Sequence, residues 1–416
     1  VDSTARLEIP QAVREIAERL EREGYDTWAV GGAVRDALLG LSRGDWDLAT
    51  AARPEAVRRL FRPSYPIGIK FGTVGVRGGD GLVYEVTTFR RDIETDGRHA
   101  VVEYADEIED DLARRDFTVN AIAYHPLRHE YRDPHGGRAD LSRKNLRCVG
   151  EPAQRFAEDY LRVLRGLRFA GLYQLEIQQA TWDALIEAVP RLPRLSGERI
   201  REELVKTLDG SVPSAALALY RKSGALETIA PELADLADEG WKNSLEAIDS
   251  LPESRAALRL VLLFAAAGSR IENLMTRLRF SNAEMREVAT LARAMEWPLP
   301  GAGDIVTARR WLSEVTPERA NDTLRLHFAM VRARTGDAAA RRALAESARV
   351  VLSVKRSGDP VSLKHLAIDG NEILTALGAR PGPEIGRLLR LCLDAVIEDP
   401  KLNRREVLMR LVREWS

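Results

Sequence analysis

The period of the apolar residues switches near residue 145, and that single change restricts the chain to few architectures. Upstream, the short β-branched runs Tyr25 to Val30, Thr73 to Arg77 and Leu82 to Phe89 are separated by the glycine pairs Gly31-Gly32 and Gly78-Gly79, as strands and turns require. Downstream, apolar residues recur at helical spacing, as in Leu161, Leu164, Leu167 and Phe169, then Leu204, Val205 and Leu208. An α/β head followed by a long all-helical remainder is the expected order. Proline and glycine break the helical period at Gly210 to Pro213, Trp297 to Gly301 and Ser357 to Pro360.

At 416 residues and 45% apolar content, the chain is too long for one small core, and roughly two to four domains are expected. No run approaches the roughly 20 apolar residues that span a bilayer, and the start, with Asp2, Arg6 and Glu8, lacks the layout of a signal peptide. No membrane association is expected, and the cytoplasm is the default location. Cys148 and Cys392 are the only cysteines. Neither has a partner at motif spacing, which argues against disulfides, a zinc site and thiol catalysis and for two small core residues. A net charge of −1 argues against a protein that simply coats nucleic acid. Arginine supplies 54 of the 62 basic residues, the other eight being lysine; it suits forked contacts to phosphate and base edges, although coding bias accounts for most of the excess.

The densest signal runs from Val30-Gly31-Gly32-Ala33-Val34-Arg35-Asp36 to Gly44-Asp45-Trp46-Asp47-Leu48. A strand entering a glycine pair and then a helix exposes backbone N–H groups that can hold a triphosphate, with Arg35 adding charge. Asp45 and Asp47, two apart on a strand, would point to the same face and offer oxygen ligands to hard cations. Without a cation, such a pair repels. Glu85, in Val83-Tyr84-Glu85-Val86-Thr87, is a third candidate acid on the neighbouring strand; an ion pair with Arg90 or Arg91 is the alternative. Arg114-Arg115-Asp116-Phe117-Thr118-Val119-Asn120 could supply phosphate and ribose contacts, with Asp116 and Asn120 one helical turn apart, and reads by itself as a charged helix start. In Glu158-Asp159-Tyr160-Leu161-Arg162-Val163-Leu164-Arg165, Asp159, Arg162 and Arg165 would share one helical face, where an Asp159–Arg162 ion pair is the simplest expectation.

These segments, in this order, resemble the class II tRNA nucleotidyltransferases of bacteria, within the DNA polymerase β superfamily. The shared motifs are Gly-Gly-x-Val-Arg-Asp with Asp-x-Asp, Arg-Arg-Asp-Phe-Thr-x-Asn-Ala, and Glu-Asp-x-x-Arg. Gly197 to Leu204 is similar to the family's next motif, so the specific matches span residues 25 to 208, and Gly382 to Gly386 resembles the tail only loosely. The resemblance implies an α+β fold: a nucleotidyltransferase head with a mixed β-sheet (1–145), a helical neck carrying a nucleobase-template helix (146–210), a helical body (211–355) and a helical tail that binds tRNA (356–416). It implies an enzyme that adds CMP and AMP from CTP and ATP to the 3′ end of tRNA without a nucleic-acid template, releasing pyrophosphate. Two Mg2+ ions would be held by Asp45 and Asp47, with Glu85 as a further catalytic acid. Gly31, Gly32, Arg35, Arg114, Asp116, Asn120, Asp159, Arg162 and Arg165 would bind the nucleotide, Asp116 at the ribose and Asp159 with Arg162 as the template for the base. Helical domains would grip the tRNA acceptor arm through its backbone, Arg387, Arg390, Arg404 and Arg405 being candidate contacts.

One departure bears on the product. Between Arg90 and Arg114 the family's CCA-adding members carry a longer flexible segment, whereas this chain has only Arg91 to Ala100 before the strand-like Val101-Val102. That shortness resembles the CC-adding subgroup, which depends on a separate A-adding enzyme, so CC addition is favoured over complete CCA addition. The run Ile67 to Val74 is unlike that of bacterial poly(A) polymerases, and no histidine precedes an aspartate as an HD phosphohydrolase would need. His125, His129 and His135 read as a loop cluster rather than a metal site. A non-catalytic RNA-binding protein would not need both Asp45 and Asp47, and an antibiotic-modifying nucleotidyltransferase would not need the segment from Glu158 to Arg165.

Overall fold

The computed structural model describes residues 6–41, 45–95, 100–234, 237–252, 255–334, 338–378 and 380–416. The chain forms two compact units, Val1–Ala234 and Asp235–Ser416. In the first, helix α1 (Gln11–Arg22) buries Val13, Ile16, Ala17 and Leu20, the stripe its period-3.6 pattern dictates. Then come β1 (Thr27–Val30), α2 (Gly32–Leu38), β2 (Asp47–Thr50), α3 (Pro54–Leu60), β3 (Ser64–Gly68), β4 (Thr73–Arg77) and β5 (Val83–Thr88). These are followed by β6 (Arg90–Thr95), β7 (Ala100–Tyr104), α4 (Ile108–Ala113), β8 (Ala123–Tyr124) and β9 (Tyr131–Arg132).

Seven of these strands make one sheet in the order β3-β4-β5-β2-β1-β8-β9. Strand β2 runs parallel to β5, with Leu48 opposite Val86, and antiparallel to β1, with Val30 opposite Asp47, so the sheet is mixed as expected. Trp28, Val30, Ala49, Phe89, Ile108 and Leu112 pack beside it as one core. The expected strand at Thr73 to Arg77 is found as such, and those at Tyr25 to Val30 and Leu82 to Phe89 are trimmed to Thr27–Val30 and Val83–Thr88.

The segment from Arg91 to Ala100, for which no strand was expected, is a strand in most of its described part. Strands β6 and β7 form an antiparallel hairpin with Arg91 opposite Glu103, closed by an ion pair of 2.6 Å. A strand whose favourable neighbour lies on another strand shows no period of its own. Asp96 to His99 lie outside the described residues.

The rest of this unit is helical: α5 (Gly137–Ser142), a two-residue β10 (Asn145–Leu146), α6 (Pro152–Glu158), α7 (Leu161–Tyr173), a two-residue β11 (Glu176–Ile177), α8 (Gln179–Ala188), α9 (Gly197–Leu208), α10 (Pro213–Lys222) and α11 (Ala225–Ile229). Helix α7 turns Val163, Leu164, Leu167 and Ala170 inward. At Gly171 a Cβ would fall 2.3 Å from the Cα of Ala216, so the close approach of α7 and α10 depends on glycine there. Cys148 is buried, and burial pushes its thiol up to about 12.

The second unit is helical throughout its described residues: α12 (Asp238–Asp249), α13 (Ala256–Phe264), α14 (Ile271–Arg277), α15 (Asn282–Ala294), α16 (Ile305–Val315), α17 (Ala320–Arg334), α18 (Ala338–Ser357), α19 (Gly370–Leu377), α20 (Pro383–Glu398) and α21 (Arg405–Trp415). The three expected breaks fall between α9 and α10, α15 and α16, and α18 and α19. Trp311, Leu312, Val315 and Val351 centre one core. Ile373, Leu388, Cys392, Val396, Leu408 and Val412 form another, so both cysteines are core residues. No described helix is long and apolar enough to cross a membrane.

Candidate active site

A cavity of about 640 Å³ opens at the ends of β1, β2 and β5, and its wall includes all twelve residues proposed above: Gly31, Gly32, Arg35, Asp45, Asp47, Glu85, Arg114, Asp116, Asn120, Asp159, Arg162 and Arg165. The sheet register explains the acidic side. Leu48 lies opposite Val86, so Asp47 and Glu85, one residue earlier on each strand, are level with each other. Burial raises the Asp47 carboxyl to about 6, the nearby Glu85 and Asp45 carboxylates add to the rise, and Arg115 opposes it. Mutually repelling carboxylates held together in this way suit a hard divalent cation, and an all-oxygen donor set suits Mg2+. The placement of Asp45 differs from expectation in one respect: β2 begins at Asp47, so Asp45 comes from the preceding loop rather than from the same strand. Trp46 between them is buried. Of the two partners considered for Glu85, Arg91 is taken by Glu103.

The glycine turn is shaped by contacts from elsewhere. Gly31 precedes α2 with φ 76°, in the left-handed region that favours glycine. A Cβ there would also approach Arg115 Nη1 to 3.0 Å. Arg35 is buried, donating to Asp36 Oδ1 at 2.7 Å and to Asn120 Oδ1 at 2.5 Å and also to the Tyr173 hydroxyl. Its guanidinium lies 5.0 Å from the Phe169 ring centre and 4.2 Å from that of Tyr173. Arg35 therefore sits at the cavity as a braced cation rather than a free one.

The segment from Arg114 to Asn120 is not a helix start, and that reading is corrected. Arg114 caps the C-terminal end of α4, Phe117 is extended, and Thr118–Asn120 form one 3-10 turn. The reason is a set of long-range bonds. Thr118 N–H donates to the Arg147 carbonyl, and Val149 N–H to that of Asp116. Asn120 still reaches Asp116, at 3.0 Å. Burial alone would raise the Asp116 carboxyl, but Arg165 at 2.7 Å, the Asn120 amide and the Phe117 N–H outweigh it and hold it at about 2. Asp111 is likewise buried and held below its usual range, burial being overcome by Arg115 and Arg114.

The segment from Glu158 to Arg165 is corrected as well. It is not one helix, because Asp159 adopts φ −156° and ψ 106° and separates α6 from α7. Its carboxylate accepts the Leu161 N–H at 3.0 Å, the local competition that makes aspartate a poor mid-helix residue. The expected Asp159–Arg162 ion pair is replaced by two others. Arg162 pairs with Glu158 at 2.5 Å and donates to the Arg114 carbonyl at 3.2 Å, while Asp159 accepts from Arg199 at 2.7 Å. Both side chains line the cavity from a helix break and the first turn beyond it.

Several cavity residues escaped the motif reading. Arg168 donates to Glu203 at 2.7 Å, and Lys206 lies 3.6 Å from the same carboxylate. Arg168 is one helical turn beyond Arg165, Glu203 lies within the Gly197 to Leu204 motif and Lys206 follows it; that spacing was the available signal. The histidines do not act together. His125 is buried and lies with Glu21 and Asp26, but its Nδ1 accepts the Leu127 and Arg128 N–H groups. Its Nε2, 3.1 Å from Glu21 Oε1, must then carry the proton, and neither nitrogen is left for a metal. Among the tail candidates, Arg387 pairs with Glu384 and Arg405 with Glu372.

Known proteins match this chain along its length. Residues 27–147 match the family model described as Poly A polymerase head domain, residues 174–236 the one described as probable RNA and SrmB-binding site of polymerase A, and residues 250–412 the one described as tRNA nucleotidyltransferase domain 2. The CCA-adding enzyme of Geobacillus sp. (strain WCH70) is 32% identical over 405 residues, covering 96% of this chain and 95% of that protein. That of Geobacillus stearothermophilus is 33% identical over 413 residues, covering 94% and 93%. The crystal structure of Bacillus stearothermophilus CCA-adding enzyme in complex with CTP superposes with a TM-score of 0.79 at 29% identity, over 97% of both chains. The Thermotoga maritima CCA-adding enzyme complexed with tRNA-CCA shares the fold, with a TM-score of 0.63 at 20% identity over 97% of this chain and 95% of that one. With a mixed-sheet head, a cavity that gathers acids and arginines, and relatives that match nearly end to end, the chain belongs to the CCA-adding enzyme family of tRNA nucleotidyltransferases.

Proposed function

We propose that this protein transfers CMP from CTP to the 3′ end of tRNA lacking its terminal nucleotides, with Asp45 and Asp47 holding two Mg2+ ions and Glu85 beside them. The observation that carries the reading is the single cavity lined by Asp45, Asp47 and Glu85 together with Asp116, Asp159, Arg162 and Arg165. Bound Mg2+ would lower the cost of charge on the tRNA 3′ oxygen and on the departing pyrophosphate. The protein's own groups do the rest. Asp116, ionised at any ordinary pH because it is held at about 2, accepts from the ribose hydroxyls. Arg114 helps place the phosphates or the base.

Asp159 and Arg162 serve as the template. Cytosine presents an amino donor beside ring acceptors, and adenine an amino donor beside N1, so one carboxylate and one guanidinium suit both. Uracil and guanine present the reverse order and would leave buried groups unpaired, the strong form of discrimination. The Leu161 N–H and Arg199 on Asp159, and Glu158 on Arg162, orient this pair before any base arrives. Residues 1–145 serve as the catalytic head, 146–210 as the neck, 211–355 as the body and 356–416 as the tail that grips the acceptor arm by shape and backbone.

The short segment between Arg90 and Arg114 supports an end point after the second C, with a separate A-adding enzyme completing the product. The second reading, complete CCA addition, is favoured by the names of relatives that match over nearly the whole chain. Incubating transcripts that end before C74, C75 and A76 with each NTP in turn separates the two. On the first reading two C residues are added quickly and A76 hardly at all, and a longer loop from a CCA-adding relative in place of Ile93 to His99 restores A addition. Efficient A76 incorporation by the unaltered protein establishes the second reading, and no CMP transfer at any end would sink both.

A further inference from the structure

Arg35 begins a series of contacts that ends on a residue outside every motif. Its Nε and Nη2 donate to Asp36 Oδ1 at 2.9 and 2.7 Å, and its Nη1 donates to Asn120 Oδ1 at 2.5 Å. Nη2 also donates to the Tyr173 hydroxyl. A single Nη1 hydrogen is left over on this buried side chain, which is too little for a forked grip on phosphate. Helix α7 supplies the other side of the clamp. Phe169 and Tyr173, one turn apart on one helical face, place their ring centres 5.0 and 4.2 Å from the guanidinium.

Arg35, so held, orients Asn120. Arginine has no acceptor, so the amide oxygen must face Arg35 and the amide nitrogen must face Asp116 Oδ1, 3.0 Å away. One amide N–H then remains for the cavity that Asn120 lines. Asp116 needs it. Its Oδ1 accepts from Asn120 and from the Phe117 N–H at 2.8 Å, and its Oδ2 accepts from Arg165 Nε and Nη2, both at 2.7 Å. The usual lone-pair positions of the carboxylate are therefore filled. A ribose hydroxyl that donates to Asp116 must share one of them, and its own oxygen still calls for a donor. The remaining Asn120 N–H, beside the same carboxylate, supplies one.

We propose that Tyr173 is a positioning residue for the sugar of the incoming nucleotide: with Phe169 it clamps Arg35, and Arg35 fixes the Asn120 amide that donates to a ribose hydroxyl beside Asp116. Arg35 thus orients the sugar site and does not grip the triphosphate. This rests on the nucleotidyl-transfer reading above, with the ribose at Asp116. Helix α7 then serves both ends of the nucleoside, Arg162 in its first turn reading the base and Tyr173 at its last residue setting the sugar.

The test measures kcat/KM for CTP, 2′-deoxy-CTP, 3′-deoxy-CTP and UTP on a tRNA transcript ending before C74, in wild type, Tyr173→Phe and Tyr173→Leu, together with each melting temperature. Losing one hydrogen bond to the sugar corresponds to about tenfold. Wild type should prefer CTP over at least one deoxy analogue, and Tyr173→Leu should lower that preference about tenfold while the preference over UTP stays as it was. Tyr173→Phe, which keeps the ring, should recover part of the loss. A structural role alone would slow all of the nucleotides alike. An unaltered preference over both deoxy analogues in folded Tyr173→Leu overturns the inference, as does an equal fall in the preference over UTP. If Tyr173→Leu does not fold, Tyr173→Phe decides: a several-fold fall supports the inference and an unaltered preference overturns it. Wild-type protein that transfers CMP with no preference over either deoxy analogue also overturns it. Wild-type protein that transfers nothing instead overturns the reading beneath it.

Discussion

The two compact units place most of their paired arginines differently. Up to Ala234, the arginines of the cavity are fastened to buried carboxylates: Arg165 to Asp116, Arg168 to Glu203, Arg114 and Arg115 to Asp111, and Arg35 to Asp36. From Asp235 onward most described ion pairs lie on the surface, as in Arg310 with Glu398, Arg387 with Glu384 and Arg405 with Glu372; Arg309 with Asp359 and Arg255 with Asp322 are partly buried, and Arg259 is fully buried, donating to the Leu251 carbonyl. A surface pair holds its side chains loosely and contributes little. A buried pair costs desolvation and returns a fixed geometry. The first unit thus fixes its charges around the cavity, and the second leaves most of its paired charges at the surface.

The strongest way to break that contrast is to remove the acids whose mutual repulsion outweighs the nearby Arg115. Asp45→Asn with Asp47→Asn should lower CMP transfer by at least about 10³-fold, while the melting temperature holds or rises because like charges are removed. Substantial Mg2+-dependent transfer by the folded double variant would end the metal assignment.

Next in size is Asp116→Ala, which leaves Arg165 without its partner in the wall. Breaking a buried pair from one side costs about 3–5 kcal/mol, and Arg165's partial exposure puts the expected loss in urea unfolding near the lower end. The pH dependence has a definite sign. Asp116 falls from 3.8 to about 2 on folding, so its contribution is present above about pH 4 and is lost as pH falls toward 2. Asp116→Asn should show a smaller loss of stability across that window.

Arg162→Ala should relax the choice of base rather than weaken the triphosphate grip, lowering discrimination of CTP against UTP by about 10- to 100-fold. Unchanged discrimination would move base reading elsewhere. At the small end, Arg387→Ala and Arg405→Ala should leave the unfolding midpoint unmoved. If either lies under the acceptor arm, the salt dependence of tRNA binding should weaken by about one unit of slope.

Much of this was legible in order along the chain. Gly31-Gly32, Asp45-x-Asp47, Arg114 to Asn120 and Asp159 with Arg162 are local patterns, and each of them contributes residues to the wall of one cavity. The helical breaks were legible because proline and glycine act on their own backbone. The hairpin at Arg90–Thr95 and Ala100–Tyr104 was not, because its pairing is supplied by another strand. Arg168 and Lys206 were passed over because they meet Glu203 only where α7 and α9 come together in three dimensions.

From its residues alone, then, the chain determines an α/β head and a helical remainder, because period and residue type act within a few positions of each other; the side chains proposed for nucleotidyl transfer were picked out by the family resemblance. Tertiary structure decided the rest. It set Asp159 in a helix break, where Arg199 rather than Arg162 is its partner. It turned the segment after Arg115 away from helix through bonds to residues 147 and 149, and it brought Glu85 level with Asp47 by parallel register. In each case a partner distant in sequence outweighs a local preference, because a group placed in the interior must bond to whatever the fold brings beside it.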